Sequence, residues 1–93
     1  MTIGKYGQMR KTYLKQNRRS LYSLMMIRGT LLSHLSEIDS AAKEQIEQMI
    51  QKMAKSEGVN EQMKAENPMR WTGLMNNFRH SAEEVVIKQL VLS

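Results

Sequence analysis

The chain of 93 residues contains no cysteine, so disulfide bonds and thiolate-bound metal ions are excluded. A protein without disulfides fits the reducing cytoplasm, and we expect it there. Uninterrupted apolar runs are also short, the longest being residues 24–27 and 85–87, whereas a membrane-spanning helix needs about 20 apolar residues. The N-terminus lacks the apolar stretch of a signal peptide. These absences predict a soluble protein that does not enter a membrane.

Residues suited to catalysis are scarce as well. The two histidines, His34 and His80, fall in different predicted helices and lack the paired spacing of a metal site. The single aspartate, Asp39, is explained better as a helix cap, and no glycine-rich phosphate loop is present. We therefore expect a protein that is not an enzyme and that uses no metal or cofactor.

Proline and glycine are rare, with one and five residues, and the pattern between them is helical. The first helix is predicted from residue 10 or 17 to residue 38, because its apolar residues recur every three or four positions. They are Leu21, Leu24, Leu31, Leu35 and Ile38. Residues 1–9 show little periodicity, so we expect a flexible basic lead-in there and a single helical domain over residues 10–93.

Cap residues divide the rest of the chain. Asp39 or Ser40 is predicted to begin a second helix over residues 41–56, which Gly58 ends. Asn60 is predicted to cap a short helical segment, residues 61–66.

Asn67 and Pro68 then begin the last helix, which extends to about residue 90. Its apolar stripe includes Trp71 and Phe78, which we assign to the core. The predicted fold is all-α: a small bundle or long hairpin of three main helices plus one short helical segment. A chain this short has a thin core, which favours stabilisation by a second copy, as a homodimer, or by another partner.

The net charge of +5 is unevenly distributed. The first 19 residues carry six basic side chains and no acidic one, whereas the remaining residues carry eight basic and nine acidic ones. A cationic end on a nearly neutral body is typical of a protein that binds a polyanion.

This basic segment is therefore the principal candidate binding site. Its cations neutralise phosphates, and its tyrosines, which include all three of the chain, stack on bases or bond to the backbone. The candidate residues are Arg10, Lys11, Tyr13, Lys15, Arg18, Arg19 and Tyr22. The partners considered are DNA, RNA or a nucleoprotein complex. The alternatives are an acidic protein surface and a solvated helix end whose tyrosines pack on the core.

A second candidate set lies in the last helix: Asn76, Asn77, Arg79 and His80. Asparagine is unfavourable inside a helix because its short amide competes with the backbone for hydrogen bonds. Either the two asparagines bond across the bundle, or they face a partner together with Arg79 and His80. We favour the first interpretation.

Several of these segments also resemble a known family. Residues 12–15 (TYLK), 36–39 (SEID) and 53–67 (MAKSEGVNEQMKAEN), followed by Trp71 and residues 75–79 (MNNFR), are similar to the TnpV family of transposon-encoded proteins. The similarity extends over nearly the whole chain, and the last two stretches are the most specific. The resemblance implies a protein carried by mobile genetic elements, but it implies no particular reaction.

Taken together, the resemblance and the charge pattern predict a small non-enzymatic accessory protein of a mobile element. It would bind nucleic acid or a nucleoprotein complex through its basic N-terminal helix. The alternative is a protein–protein inhibitor of a host defence nuclease, of the anti-CRISPR type, since small helical proteins of mobile elements often block host defences.

Overall fold

The longest element of the protein is a single helix of 26 residues, against which the others pack. The computed structural model describes residues 3–93. It contains helices α1 (Lys5–Asn17), α2 (Arg19–Arg28), α3 (Leu31–Ser56), α4 (Glu61–Glu66) and α5 (Pro68–Val86), and a π-helical segment (Ile87–Val91). No strand occurs in the described part of the chain, which confirms the predicted all-α class.

Helix α3 packs against α5 along one part of its length and against α1 along another. The main core cluster lies between α3 and α5 and includes Ile46, Ile50, Phe78, Ala82 and Val86. A smaller cluster joins α1 to the start of α3 through Leu14, Leu31 and Leu35.

The molecule is elongated, because its helices pack lengthwise against one another and do not form a globule. Its extents are 54 × 24 × 18 Å, and its radius of gyration is 16.7 Å, compared with about 12 Å for a compact domain of this length. None of the helices within residues 3–93 has the length and apolar character needed to cross a membrane.

Two predicted helix boundaries are wrong. Asp39 and Ser40 begin no helix, since α3 runs through them without a break. The predicted first helix is instead interrupted twice, at Arg18 and at Gly29. Gly29 adopts a left-handed conformation with φ of 70°, and Thr30 donates its amide hydrogen to the carbonyl of Met25 at 3.0 Å. This is the arrangement by which glycine ends a helix.

The Gly29 turn divides the predicted apolar stripe between two helices. Leu31 and Leu35 enter the core, but Leu21 and Leu24 are 39% and 42% exposed on α2. Because the helix direction changes at the turn, residues with helical spacing on both sides of it no longer share a face.

The predicted boundaries between residues 56 and 68 are confirmed. Gly58 follows α3 with φ of 70°. Asn60 caps α4 by accepting from the amide of Met63 at 3.0 Å, and Asn67 caps α5 by accepting from the amide of Arg70 at 3.3 Å. Pro68 lies in the first turn of α5, where its missing amide hydrogen costs no helical hydrogen bond.

Helix α1 begins before its predicted start. It covers Lys5–Asn17, and Tyr6 and Gly7 are buried, so residues 5–9 of the expected lead-in pack as part of the helical domain. Met1 and Thr2, the first part of that lead-in, lie outside the described residues.

Asp39 caps α1 from another helix. It lies on the buried stripe of α3, and its Oδ1 accepts the amide hydrogen of Gly7, in the first turn of α1, at 3.0 Å. Its Oδ2 pairs with Lys43 at 2.9 Å. Burial alone would raise the pKa of Asp39, but the hydrogen bonds from Lys43 and Gly7 outweigh it and hold the pKa below its usual value. The amides of a helix N-terminus favour a negative charge, which Asp39 supplies.

Two glycines allow this close approach. A Cβ on Gly4 would lie 2.9 Å from both carboxylate oxygens of Asp39. A Cβ on Gly7 would lie 3.0 Å from the carbonyl oxygen of Leu35 and would overlap the side chain of Ile3. The start of α1 therefore contacts α3 at a distance that larger residues do not permit.

Glu83 of α5 provides a second attachment of α1. It accepts the hydroxyl hydrogen of Tyr6 at 3.1 Å and pairs with Lys5 at 3.4 Å. Burial acts to raise the pKa of Glu83, yet the hydrogen bond from Tyr6 and the charge of Lys5 lower it on balance.

We expect Asp39→Ala to lower the free energy of unfolding by about 1–2 kcal/mol, as for loss of a helix cap. Asp39→Asn should cost less, because its amide oxygen still accepts from Gly7. Lys43→Ala should have the smallest effect, below about 1 kcal/mol, since the Lys43 side chain is 59% exposed. Urea unfolding at neutral pH measures all three. An equal loss of unfolding free energy in Asp39→Ala and Lys43→Ala would show that the stabilisation comes from the ion pair and not from the cap on α1.

Gly7 and Gly73 form a matched pair, because both lie inside helices. Ala at position 73 meets nothing within 4 Å, so Gly73→Ala should raise stability by about 1 kcal/mol through helix propensity. Gly7→Ala gains the same helix propensity, but its Cβ forces α1 away from the buried backbone of α3. Crowding of this kind lowers stability by about 1–3 kcal/mol. Thermal unfolding should show opposite shifts. A stabilised Gly7→Ala variant would contradict the close contact of α1 with α3.

Candidate functional site

The corner where α1 meets α2 carries the candidate cations. Lys15, Arg18 and Arg19 are exposed there, and Lys11 is half-buried one turn earlier on α1. The first acidic residue of the chain is Glu37, so no carboxylate side chain occurs in α1 or α2. We refer to Lys11, Lys15, Arg18 and Arg19 as the cationic corner.

None of these four cations forms an ion pair within residues 3–93. The ion pairs there use other basic residues, Lys5, Lys43 and Arg79. The charge of the cationic corner is therefore not neutralised by a carboxylate of the described chain, and its field extends into solvent.

Tyr22 lies between the cations and the core. The ammonium group of Lys15 is 5.6 Å from the centre of its ring, which brings α1 and α2 together. Tyr22 also lines a shallow groove of about 280 Å³ with Lys11, Met25 and Leu32. Tyr13 and Tyr22 both pack against the smaller core cluster. The predicted tyrosines are thus near the cations, but their rings are partly used in packing.

Arg10 is not part of the exposed site, contrary to the prediction. It is 8% exposed, and its guanidinium group donates to the carbonyl oxygens of Val91 and Ser93 at 3.2 and 2.6 Å. Its Nε also donates to Nε2 of His34 at 3.3 Å. Arg10 therefore joins α1, α3 and the last residues of the chain, a structural role that satisfies its buried charge.

The position of Arg10 on α1 could have indicated this role. Tyr6, Arg10 and Leu14 are four residues apart, so they lie on one face of a helix that begins at Lys5. A helix that starts at residue 10 leaves Tyr6 out of this pattern, and Arg10 is then indistinguishable from the other cations of the segment.

The second candidate set does not join the cationic corner. It lies on α5, which packs on α3 and α4, whereas α2 packs on α1 and α3. Asn76, Asn77 and His80 are exposed, and Arg79 pairs with Glu47 at 3.0 Å.

The favoured interpretation of the asparagines is wrong. Neither Asn76 nor Asn77 makes a side-chain hydrogen bond within the described residues, and both face outward from the bundle. Their cost in helix propensity is therefore not offset by bonds across the core.

Metal coordination receives no support from the geometry. Within residues 3–93, no three His, Asp or Glu side chains come together in a way that could hold a metal ion. The arrangement that the helices do produce is a patch of positive charge beside a partly apolar groove.

Comparison with known proteins agrees with the resemblance found in the sequence. A family model described as transposon-encoded protein TnpV matches residues 1–91, essentially the whole chain. No curated protein and no solved structure matches the chain.

The contact between Arg10 and His34 predicts a pH dependence of stability. Burial lowers the pKa of His34, and the charge of Arg10 lowers it further, against a smaller opposite effect of Glu37. Below the ordinary histidine pKa of about 6.5 the unfolded chain binds a proton that the folded chain resists. The free energy of unfolding should therefore fall as pH decreases from 7.5 to 5.5.

Urea unfolding at several pH values measures this decrease. His34→Gln should weaken the dependence, because it removes the titrating group from the contact. Replacement of the exposed His80, the other histidine of the chain, is the control. If the free energy of unfolding of His34→Gln still falls with decreasing pH to the same extent, another titrating group causes the dependence.

Proposed function

Because the chain belongs to the TnpV family of transposon-encoded proteins, we propose that it is a non-enzymatic accessory protein of a mobile element, which binds nucleic acid through its cationic corner. The nucleic acid is bound either free or within a nucleoprotein complex. The observation that carries the proposal is a group of four cations at the junction of α1 and α2 that form no ion pair with residues 3–93: Lys11, Lys15, Arg18 and Arg19.

The local charge balance supports a polyanionic partner. Lys5, Lys43 and Arg79 are matched with carboxylates, whereas the cationic corner lies in a stretch of 36 residues without an acidic side chain. Cations concentrated in this way attract phosphates and release the counterions condensed on nucleic acid.

The backbone contributes in the same place. Helix α2 begins at Arg19, and no side chain caps its first turn. The free amide groups of a helix N-terminus carry a partial positive charge that favours anions. Arg18 and Arg19 flank these amides, so side chains and backbone act in the same direction on a bound phosphate.

The same geometry supports binding that depends little on base sequence. Tyr13 and Tyr22 are partly buried against the smaller core cluster, which limits their stacking on bases. Lysine and arginine contacts to phosphates fix position but do not read sequence. The expected affinity is therefore mainly electrostatic.

Fluorescence anisotropy with a labelled duplex and a labelled single strand, over a series of salt concentrations, tests the proposal. The variant Lys15→Ala/Arg18→Ala should reduce the slope of log Kd against log salt by about 2, since each lost phosphate contact removes about 0.9 for duplex DNA. Both side chains are exposed, so the substitution leaves the core intact.

Lys52→Ala/Lys55→Ala is the matched control, because it removes two exposed cations from α3 and the same net charge. It should leave the slope nearly unchanged. Equal losses in the two variants would mean that net charge alone drives binding. Absence of binding to either nucleic acid at low salt would contradict the proposal and favour the alternative, an inhibitor that forms a stable complex with a nuclease.

A further inference from the structure

We propose that α2 is a docking helix that inserts into an apolar groove, rimmed by carboxylates, on a partner protein. This surface goes beyond the nucleic-acid site of the proposed function, because its apolar residues lie outside the cationic corner. It consists of Leu21, Leu24 and Ile27, with Arg19 and Arg28 at the two ends of the helix.

Helix α2 is apolar yet has no buried residue. Six of its ten residues are apolar. Only Tyr22 and Met25 pack against the core, and both are only partly buried. Ile27 is 84% exposed and Met26 is 55% exposed. The apolar face of a helix is ordinarily packed against another element, whereas residues 3–93 leave this apolar surface of α2 uncovered.

The exposed anchors form one stripe. Leu21, Leu24 and Ile27 are three residues apart, and this spacing places them within about 120° of the helix circumference. Helices that bind in grooves present anchors three or four residues apart in this way. The stripe is accessible, since all three of its side chains are exposed.

Charge indicates the chemistry of the partner. Arg19 and Arg28 are the first and last residues of α2, Arg18 precedes it, and the helix contains no carboxylate. A groove with acidic residues at its rim would complement both ends of α2, and such complementarity guides association and selects partners.

The same charges disfavour a second copy as the occupant. Two α2 helices paired antiparallel through Leu24 would bring Arg28 of one copy beside Arg18 and Arg19 of the other, at both ends. No carboxylate of α1 or α2 is present to relieve this repulsion. Like charges brought together at an interface oppose association.

A membrane surface fits less well than a protein groove. Helices that lie in the bilayer interface carry Trp, Phe or Leu on one face and a strongly polar face opposite. Helix α2 has leucines in its stripe but no such polar face opposite them, because Tyr22 and Met25 pack against the smaller core cluster there. Ser20 and Ser23 further interrupt the exposed apolar surface of α2.

Site-specific photo-cross-linking in cells that naturally carry the gene tests the proposal. The photoreactive residue p-benzoylphenylalanine replaces Ser23, which is exposed beside the anchors on α2, so the anchors themselves are kept. The control carries it in place of Thr72, exposed on α5 near Met69. Mass spectrometry then identifies the partner and the cross-linked peptide. The expected result is a protein adduct specific to position 23, in a segment where apolar residues are flanked by Asp or Glu.

Variants within the cross-linking protein test the anchors and the charge. Leu24→Ser/Ile27→Ser should reduce the adduct at least about tenfold, the loss expected for removing central apolar anchors. Met69→Ser is the matched control, because Met69 is 86% exposed and Ile27 is 84% exposed. Arg28→Glu should also reduce the adduct. Since α2 has no buried residue, circular dichroism should show every variant to be folded.

Four results would overturn the proposal. They are an adduct with a second copy, an adduct with lipid, an adduct with a protein segment lacking acidic residues, and adducts no stronger at position 23 than at position 72. Sedimentation of the pure protein and flotation with phosphatidylglycerol vesicles provide independent checks. Self-association or vesicle binding that depends on Leu24 and Ile27 would likewise overturn it.

Discussion

The hydrogen bond from the Gly7 amide to Asp39 holds the start of α1 on α3. The carboxylate is buried in the stripe by which α3 meets the rest of the fold, and it compensates the free amides at the start of α1. The small residues Gly4 and Gly7 make room for it. Because α1 leads directly into α2, this one cap also sets where the cationic corner lies relative to the core.

Asp39 also shows what local sequence patterns can and cannot predict. Asp39 was predicted to cap the helix that follows it, but it accepts the amide hydrogen of Gly7, in a helix 32 residues away in the chain. Asn60 and Asn67 were assigned correctly, because each caps the helix that follows it directly. Phe78 was assigned to the core correctly for a similar reason: burial along one uninterrupted helix leaves a periodic pattern in the sequence. A cap supplied by a distant helix leaves no such pattern.

The candidate site was predicted in composition but not in detail. Charge counting locates the basic segment, and Lys15, Arg18 and Arg19 are exposed as expected. It cannot distinguish them from Arg10, whose charge is bound by the carbonyl groups of the last residues in a contact spanning more than 80 positions. The apolar surface of α2 was likewise hidden, because Leu21 and Leu24 appeared to continue the core stripe of α3. Only the turn at Gly29 separates them.

The contacts that attach α1 to the main core and the surfaces proposed for binding lie in different parts of one short chain. The packing of α3 on α5 forms the main core, and α1 is attached to it through Asp39, Glu83 and the contacts of Arg10. All three attachments lie in the first two turns of α1, ahead of the cationic corner. Substitutions of the exposed residues of the corner and of α2 therefore leave these attachments intact, whereas Leu14, Tyr22 and Met25 belong to the smaller core cluster or pack against it. An exposed apolar helix between two turns has a cost in solubility, and the partner groove that we propose for α2 would provide a physical reason for keeping it.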